Sequence, residues 1–138
     1  GWGWKNIFVD DWGWDERLFS ALDFVGLNAY MPKPEELRPA WRKVLTENVL
    51  GIRRRFAKEV LITEFGWPSD DDAEQARAYE EMLSVYKSLP LMGWLAWVWN
   101  SEKETGGGCL RPGTGFNLCK DFEGRPRRAY FVLVGRER

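Results

Sequence analysis

Four short, almost continuous apolar runs punctuate the chain, with longer amphipathic stretches between them. The first is Ile7-Phe8-Val9, followed by Asp10-Asp11-Trp12-Gly13-Trp14. The second is Phe24-Val25-Gly26-Leu27, ending in Asn28-Ala29-Tyr30. The third is Val60-Leu61-Ile62-Thr63, ending in Glu64-Phe65-Gly66-Trp67-Pro68. The fourth is Trp94-Leu95-Ala96-Trp97-Val98-Trp99, ending in Asn100. Short runs without polar alternation predict strands buried on both faces, as in a parallel sheet. The stretches between them predict helices. Residues 15–22 predict a short one capped by Asp15. Residues 39–57 set Trp41, Leu45, Val49, Ile52 and Phe56 three or four apart, a single helical stripe, with Pro39 in the first turn. Residues 72–89 repeat the pattern with Ala76, Tyr79, Met82, Leu83 and Tyr86. Asp70-Asp71-Asp72 supplies caps and negative charge at that helix's positive end, and Pro90 closes it. Residues 125–133 predict a last helix opened by Pro126.

The alternation is βαβαβαβα, which predicts an α/β fold of parallel (β/α) units. An eight-unit TIM barrel needs roughly 250 residues. At 138 residues the chain is near half a barrel, or else a complete small open sheet. No Gly-rich phosphate loop follows any strand, which weakens the nucleotide-binding version of an open sheet.

Composition narrows the chemistry. Twenty basic and 21 acidic residues leave a formal net charge of −1, so charge gives no case for nucleic acid or an anionic membrane surface. No run approaches the roughly 20 apolar residues of a membrane span. The absence of histidine and the presence of only two cysteines exclude His-based catalysis, His-ligated metals and a four-cysteine zinc site. Asp70, Asp71 and Asp72 are consecutive and suit a helix cap better than a calcium cage. No metal or cofactor is expected. Nine tryptophans are a large surplus, and must be core or binding surface. The chain opens on Gly1-Trp2-Gly3-Trp4 with no signal peptide, and reads as the interior of a longer protein that leaves room for a leader upstream. Cys109 and Cys119 sit ten apart in a loop rich in Gly106, Gly107, Gly108, Gly113 and Gly115. A disulfide there would suit secretion, and two reduced thiols are an equal alternative, so localisation stays open with secretion slightly favoured.

In parallel α/β folds reactive residues lie at the C-terminal ends of strands. Here those ends gather Asp10, Asp11, Trp12, Asn28, Tyr30, Glu64, Trp67, Trp97, Trp99 and Asn100. Indole faces stack on pyranose C–H faces, and carboxylates make or break the glycosidic bond. Glu64 is the sharpest candidate. It ends an apolar strand, where a carboxylate is costly unless paired or used. The plainer alternative is a strand-end carboxylate in a surface turn.

Val60-Leu61-Ile62-Thr63-Glu64-Phe65-Gly66-Trp67-Pro68-Ser69 resembles the seventh-strand motif of clan A glycoside hydrolases, retaining enzymes with (β/α)8 barrels. Residues 22–30 resemble their sixth strand and residues 94–99 their eighth. Gly115-Phe116-Asn117-Leu118, with residues 124–130, resembles the closing turn and last helix. The wording sits nearest the glycoside hydrolase family 113 β-mannanases, including the helix start Glu74-Gln75-Ala76-Arg77-Ala78-Tyr79. Gly66-Trp67-Pro68-Ser69 also resembles the β-1,3-glucanases of the clan.

The resemblance implies that residues 1–138 form the C-terminal half of a catalytic barrel, strands five to eight. Glu64 would be the nucleophile on a β-linked glycan of mannan or glucan type. Tyr30 would hydrogen-bond Glu64, its alternative being a strand-end core tyrosine. Trp97 would be the platform under the sugar, with Trp99 of the same strand parity behind it; either could instead be barrel wall. Asn28, Asp11, Trp12, Trp14 and Trp67 would line flanking subsites. Trp94, of opposite parity, would pack against helices. The second carboxyl that retaining hydrolysis needs would lie on strand four, upstream of this chain. The chain alone would then lack full activity. It would pair with the missing N-terminal half or with itself, since a half barrel exposes sheet edges and an apolar face. Two rivals remain: a non-catalytic carbohydrate-binding half barrel, and an α/β half barrel of other chemistry.

Overall fold

A computed structural model describes residues 16–97, 115–120 and 125–135. The elements in order are α1 (Glu16–Ala21), β1 (Phe24–Asn28), a 3-10 turn (Glu35–Leu37), α2 (Arg38–Phe56), β2 (Glu59–Phe65), α3 (Asp72–Lys87), β3 (Gly93–Ala96) and α4 (Arg128–Val134). The strands form one sheet in the order β1-β2-β3. β1 and β2 run parallel, joined through α2. The predicted strand at Ile7-Phe8-Val9 lies outside the described residues.

The described residues divide into two compact units. One holds residues 16–65 and 85–95; the other holds 66–84, 96–97, 115–120 and 125–135. In the first unit the stripe read from the sequence is the buried face of α2, with Trp41, Leu45, Val49 and Ile52 all at 2% exposure or less. Val25, Val60 and Ile62 are buried in the strands. Phe19 of α1 stacks on Phe56 of α2 at 4.3 Å between ring centroids. Pro39 occupies the first turn of α2, where its missing N–H leaves no bond unmade.

Two expectations are corrected here. The strands are not buried on both faces: burial alternates along β1, and Phe24 and Leu95 stand 43% and 56% exposed. One set of side chains is packed by helices, while on the alternate set Phe24, Asn28, Glu59 and Leu95 are exposed and Leu61 and Thr63 half-buried. The last helix starts at Arg128 rather than at 125, because the chain before it is held extended. Pro126 bridges Cys119, and the Arg127 N–H donates to the Leu118 carbonyl at 2.7 Å.

In the second unit the three consecutive aspartates divide the labour at the start of α3. Asp71 Oδ1 accepts the Ala73 and Glu74 N–H groups at 2.7 and 3.0 Å, the cap proper. Asp70 Oδ1 accepts the Gly115 N–H. Asp72 Oδ1 accepts the Arg128 N–H at 2.8 Å and pairs with Arg127, which is 1% exposed.

α2 ends on Ala57, whose φ of 53° puts a non-glycine residue in the left-handed region. That conformation costs an L-residue about 1–2 kcal/mol, more than the chain entropy a glycine would add. Ala57→Gly is expected to raise stability by about 0.5–1 kcal/mol in urea unfolding. The N–H groups of Glu74 and Ala73 hold Asp71 below its ordinary pKa of 3.8. Its stabilising contribution is therefore complete above that ordinary value and is lost as pH falls through the lower folded one. Asp71→Asn is expected to lower the unfolding midpoint near neutral pH, with the gap to the native chain closing in strong acid. Unfolding midpoints measured across a pH series check both halves.

Candidate active site

Glu64 lies one residue from the end of β2, and irregular backbone sets its surroundings. Register runs regularly from Phe24↔Glu59 to Leu27↔Ile62, then shifts so that Asn28 opposes Glu64. β2 thus carries one extra residue, Thr63, opposite the Leu27/Asn28 step. In an unbroken strand Thr63 and Glu64 would point to opposite faces. At the bulge both side chains reach Asn28. Thr63 Oγ1 donates to Asn28 Oδ1 at 2.9 Å, and Asn28 Nδ2 donates to Glu64 Oε2 at 3.3 Å. The Tyr30 hydroxyl donates to the other carboxylate oxygen, Oε1. The Ala29 N–H closes the ladder on the Glu64 carbonyl at 2.9 Å.

An aromatic cluster anchors this strand end. Tyr86 of α3 is fully buried and donates its hydroxyl to the Ala29 carbonyl at 2.6 Å, between Asn28 and Tyr30. Its ring meets Phe65 edge-on at 5.1 Å and Trp41 at 6.4 Å. Trp94 of β3 lies against the same ring at 6.3 Å, so it packs on a helix as its strand parity predicts. Phe65, the neighbour of Glu64, is fully buried and pins the backbone from which the carboxylate projects.

The arrangement places one donor on each oxygen of a half-buried carboxylate. An ionised carboxylate is acceptor-only, so an N–H from the last residue of β1 and an O–H from Tyr30, two residues on, suit that form and fix its rotamer. A carboxylate held this way has lone pairs left to attack an electrophilic carbon. No group of three or more potential metal ligands occurs among the described residues.

The other predicted residues fare differently. Trp67 was expected to line a subsite, and the structure corrects this: it is 3% exposed and has no open face to offer a sugar. Its indole N–H donates to Glu74 Oε1 at 3.0 Å, and Ser69 Oγ donates to the other Glu74 oxygen at 2.7 Å. Trp97 directly follows β3 and is 41% exposed. Its carbonyl accepts the Tyr79 hydroxyl at 3.4 Å; burial pushes the Tyr79 phenol well above its usual ionisation range, so it stays a neutral donor. Asp11, Trp12, Trp14 and Trp99 lie outside the described residues, as does Cys109; Cys119 is buried.

Three residues with structural or orienting roles were missed. Thr63 was read only as part of the apolar run. Gln75 was noted only within a motif, yet it is fully buried and its Nε2 donates to the carbonyls of Trp67, Gly115 and Asn117 at 3.1, 3.1 and 3.2 Å. A polar residue on the stripe of Ala76 and Tyr79 was the available signal. Arg127 donates to the Ser69 carbonyl at 2.9 Å, and nothing in its sequence neighbourhood marks it for burial.

Comparison with solved structures places the fold. The chain resembles a β-glucuronidase from Faecalibacterium prausnitzii (TM-score 0.60, 16% identity, covering 85% of this chain and 22% of that one). It also resembles the β-glycosidase BGL167 (TM-score 0.56, 16% identity, 90% and 37%). A third likeness is to the endo-β-1,4-mannanase from Thermotoga petrophila (TM-score 0.53, 19% identity, 85% and 26%). No protein-family model and no curated protein sequence matches. The chain spans 22 to 37% of the length of these structures. It has the α/β fold of parallel (β/α) units seen in glycosidase TIM barrels, over a share consistent with half of one.

If Trp67 is a buried strut, Trp67→Phe should lower stability by about 1–2 kcal/mol through the lost bond to Glu74. Urea unfolding measures this. In the native chain, removing Trp67 should leave acrylamide quenching of the remaining tryptophans unchanged.

Proposed function

We propose that this chain carries the nucleophile side of a retaining β-glycoside hydrolase acting on a β-mannan or β-glucan. One observation carries the reading: the strand-end carboxylate of Glu64, held by Tyr30 on one oxygen and Asn28 on the other. A Glu64 oxygen attacks the anomeric carbon, and the bond to the leaving oxygen breaks. The leaving oxygen takes a proton from an acid supplied outside this chain. Water, deprotonated by that same group, then displaces Glu64 and restores the starting configuration. The acid belongs about 5–5.5 Å from Glu64. Trp97, exposed at the end of β3, is the proposed sugar platform, with Trp99, Trp12, Trp14 and Asp11 as flanking contacts. A complementary half barrel, or a second copy, would cover the exposed sheet-face residues Phe24 and Leu95. Glycosidases of the kind matched above are several times longer, which supports the acid's coming from elsewhere.

The test removes the need for the acid. A 2-deoxy-2-fluoro-β-glycoside with a dinitrophenolate leaving group departs without protonation, and the fluorine slows release of the adduct. Intact-mass analysis should show one added fluoroglycosyl group, mapped by peptide digestion to Glu64. Glu64→Gln should give none. Tyr30→Phe should slow labelling about 10- to 100-fold, the effect of losing one charge-assisted hydrogen bond. Glycan affinity that survives Glu64→Gln, with no adduct on the native chain from gluco- or manno-configured probes, would instead describe a carbohydrate-binding protein.

A further inference from the structure

We propose that Thr63 is a positioning residue that sets the direction of the Asn28 amide, and that Gly26 is glycine in order to seat Thr63. The proposal deepens the reading of Glu64 as a nucleophile and rests on it for its kinetic consequence. A carboxamide has two nearly isosteric ends. With Nδ2 toward Glu64 it donates to Oε2; flipped, it would set its oxygen against an acceptor-only carboxylate. Asn28 is exposed, so water competes for both ends. The Thr63 hydroxyl lies 2.9 Å from Oδ1, where it can only donate. Holding the oxygen end there leaves the nitrogen end on Glu64.

Thr63 is held in turn. A β-branched side chain has few χ1 choices. Its methyl group occupies the space a side chain at Gly26 would need: a Cβ on Gly26 would come within 2.7 Å of Thr63 Cγ2 and 3.3 Å of Oγ1. A methyl at 26 would therefore push Thr63 off its rotamer and carry the hydroxyl away from Asn28. The bulge completes the device, because it alone lets consecutive residues Thr63 and Glu64 address one amide. The series Gly26, Thr63, Asn28, Glu64 is thus a chain of contacts that ends on the nucleophile.

Two readouts on the full chain test it: the rate constant for labelling Glu64 by the dinitrophenyl fluoroglycoside, and solvent exchange of the Asn28 side-chain amide protons by NMR, assigned with Asn28→Asp. Thr63→Val should slow labelling about tenfold and speed amide exchange several-fold. Thr63→Ser, which keeps the hydroxyl, should stay within about twofold of the native chain in both. Gly26→Ala should behave like Thr63→Val. Gly26→Ala combined with Thr63→Ser, which deletes the obstructing methyl, should recover. Urea midpoints for every variant separate positioning from loss of fold. Native values in Thr63→Val, or failure of serine to rescue, would overturn the proposal. If the native chain forms no adduct, the nucleophile reading fails, and the exchange data still decide: unchanged Asn28 exchange in Thr63→Val refutes the relay. If Thr63→Val does not fold, the pair Gly26→Ala with and without Thr63→Ser decides instead: recovery on adding the serine supports the relay, and no recovery refutes it.

Discussion

A carboxylate at the end of an apolar strand has to find donors, and the local structure of the first unit follows from how Glu64 finds them. It cannot take them from its own strand, whose N–H groups belong to the ladder. They come from the neighbouring strand end, as the Asn28 amide and the Tyr30 hydroxyl. That fixes the path of residues 28–30, which in turn needs an anchor. The anchor is the Tyr86 hydroxyl on the Ala29 carbonyl, and Tyr86 is immobilised among Phe65, Trp41 and Trp94. The aromatic core beneath the strands and the polar cluster at their ends are one construction. The Tyr86 hydroxyl on the Ala29 carbonyl joins the two.

The second unit shows the same economy among its described residues. Polar side chains there are buried because backbone carbonyls need partners where no strand or helix supplies them. Gln75 answers three carbonyls and Arg127 answers that of Ser69 while pairing with Asp72. Removing either donor takes a hydrogen bond from each of these acceptors, at about 0.5–1.5 kcal/mol apiece. The expectation that Trp67 faces substrate failed on this ground. Its indole N–H is needed by Glu74, whose second oxygen is taken by Ser69.

Much of the fold was legible because it is written in periodicity. The α2 stripe of Trp41, Leu45, Val49 and Ile52 is buried as its spacing demands, and Phe24 to Asn28 and Glu59 to Phe65 pair in parallel. Tyr30 and Asn28 were legible as strand-end residues beside the Glu64 strand. The bulge was not legible. Bulged residues need no glycine or proline, and the run Val60-Leu61-Ile62-Thr63 has only one residue, Thr63, that could hint at a polar task. Trp67 was misread for a related reason. Strand-end position predicts that a side chain leaves the core, but it cannot see a neighbouring carboxylate that draws the indole back in.

A reaction centre can be divided between chain segments when its parts make unequal geometric demands. A nucleophile in a retaining mechanism must be closely oriented, and if Glu64 has that role, as proposed above, its orienting groups are near at hand: Asn28 at the end of β1 and Tyr30 just beyond it. The acid has a looser demand: a proton donor at the right distance from the leaving oxygen, free to serve later as a base. Preorganising such a group needs short-range contacts between adjacent strands, and slipping a whole strand by one residue would destroy them. Placing the acid needs only that a partner surface dock correctly. On the reading proposed above, the nucleophile's local geometry would be held within a segment that spans 22 to 37% of the length of the matched structures.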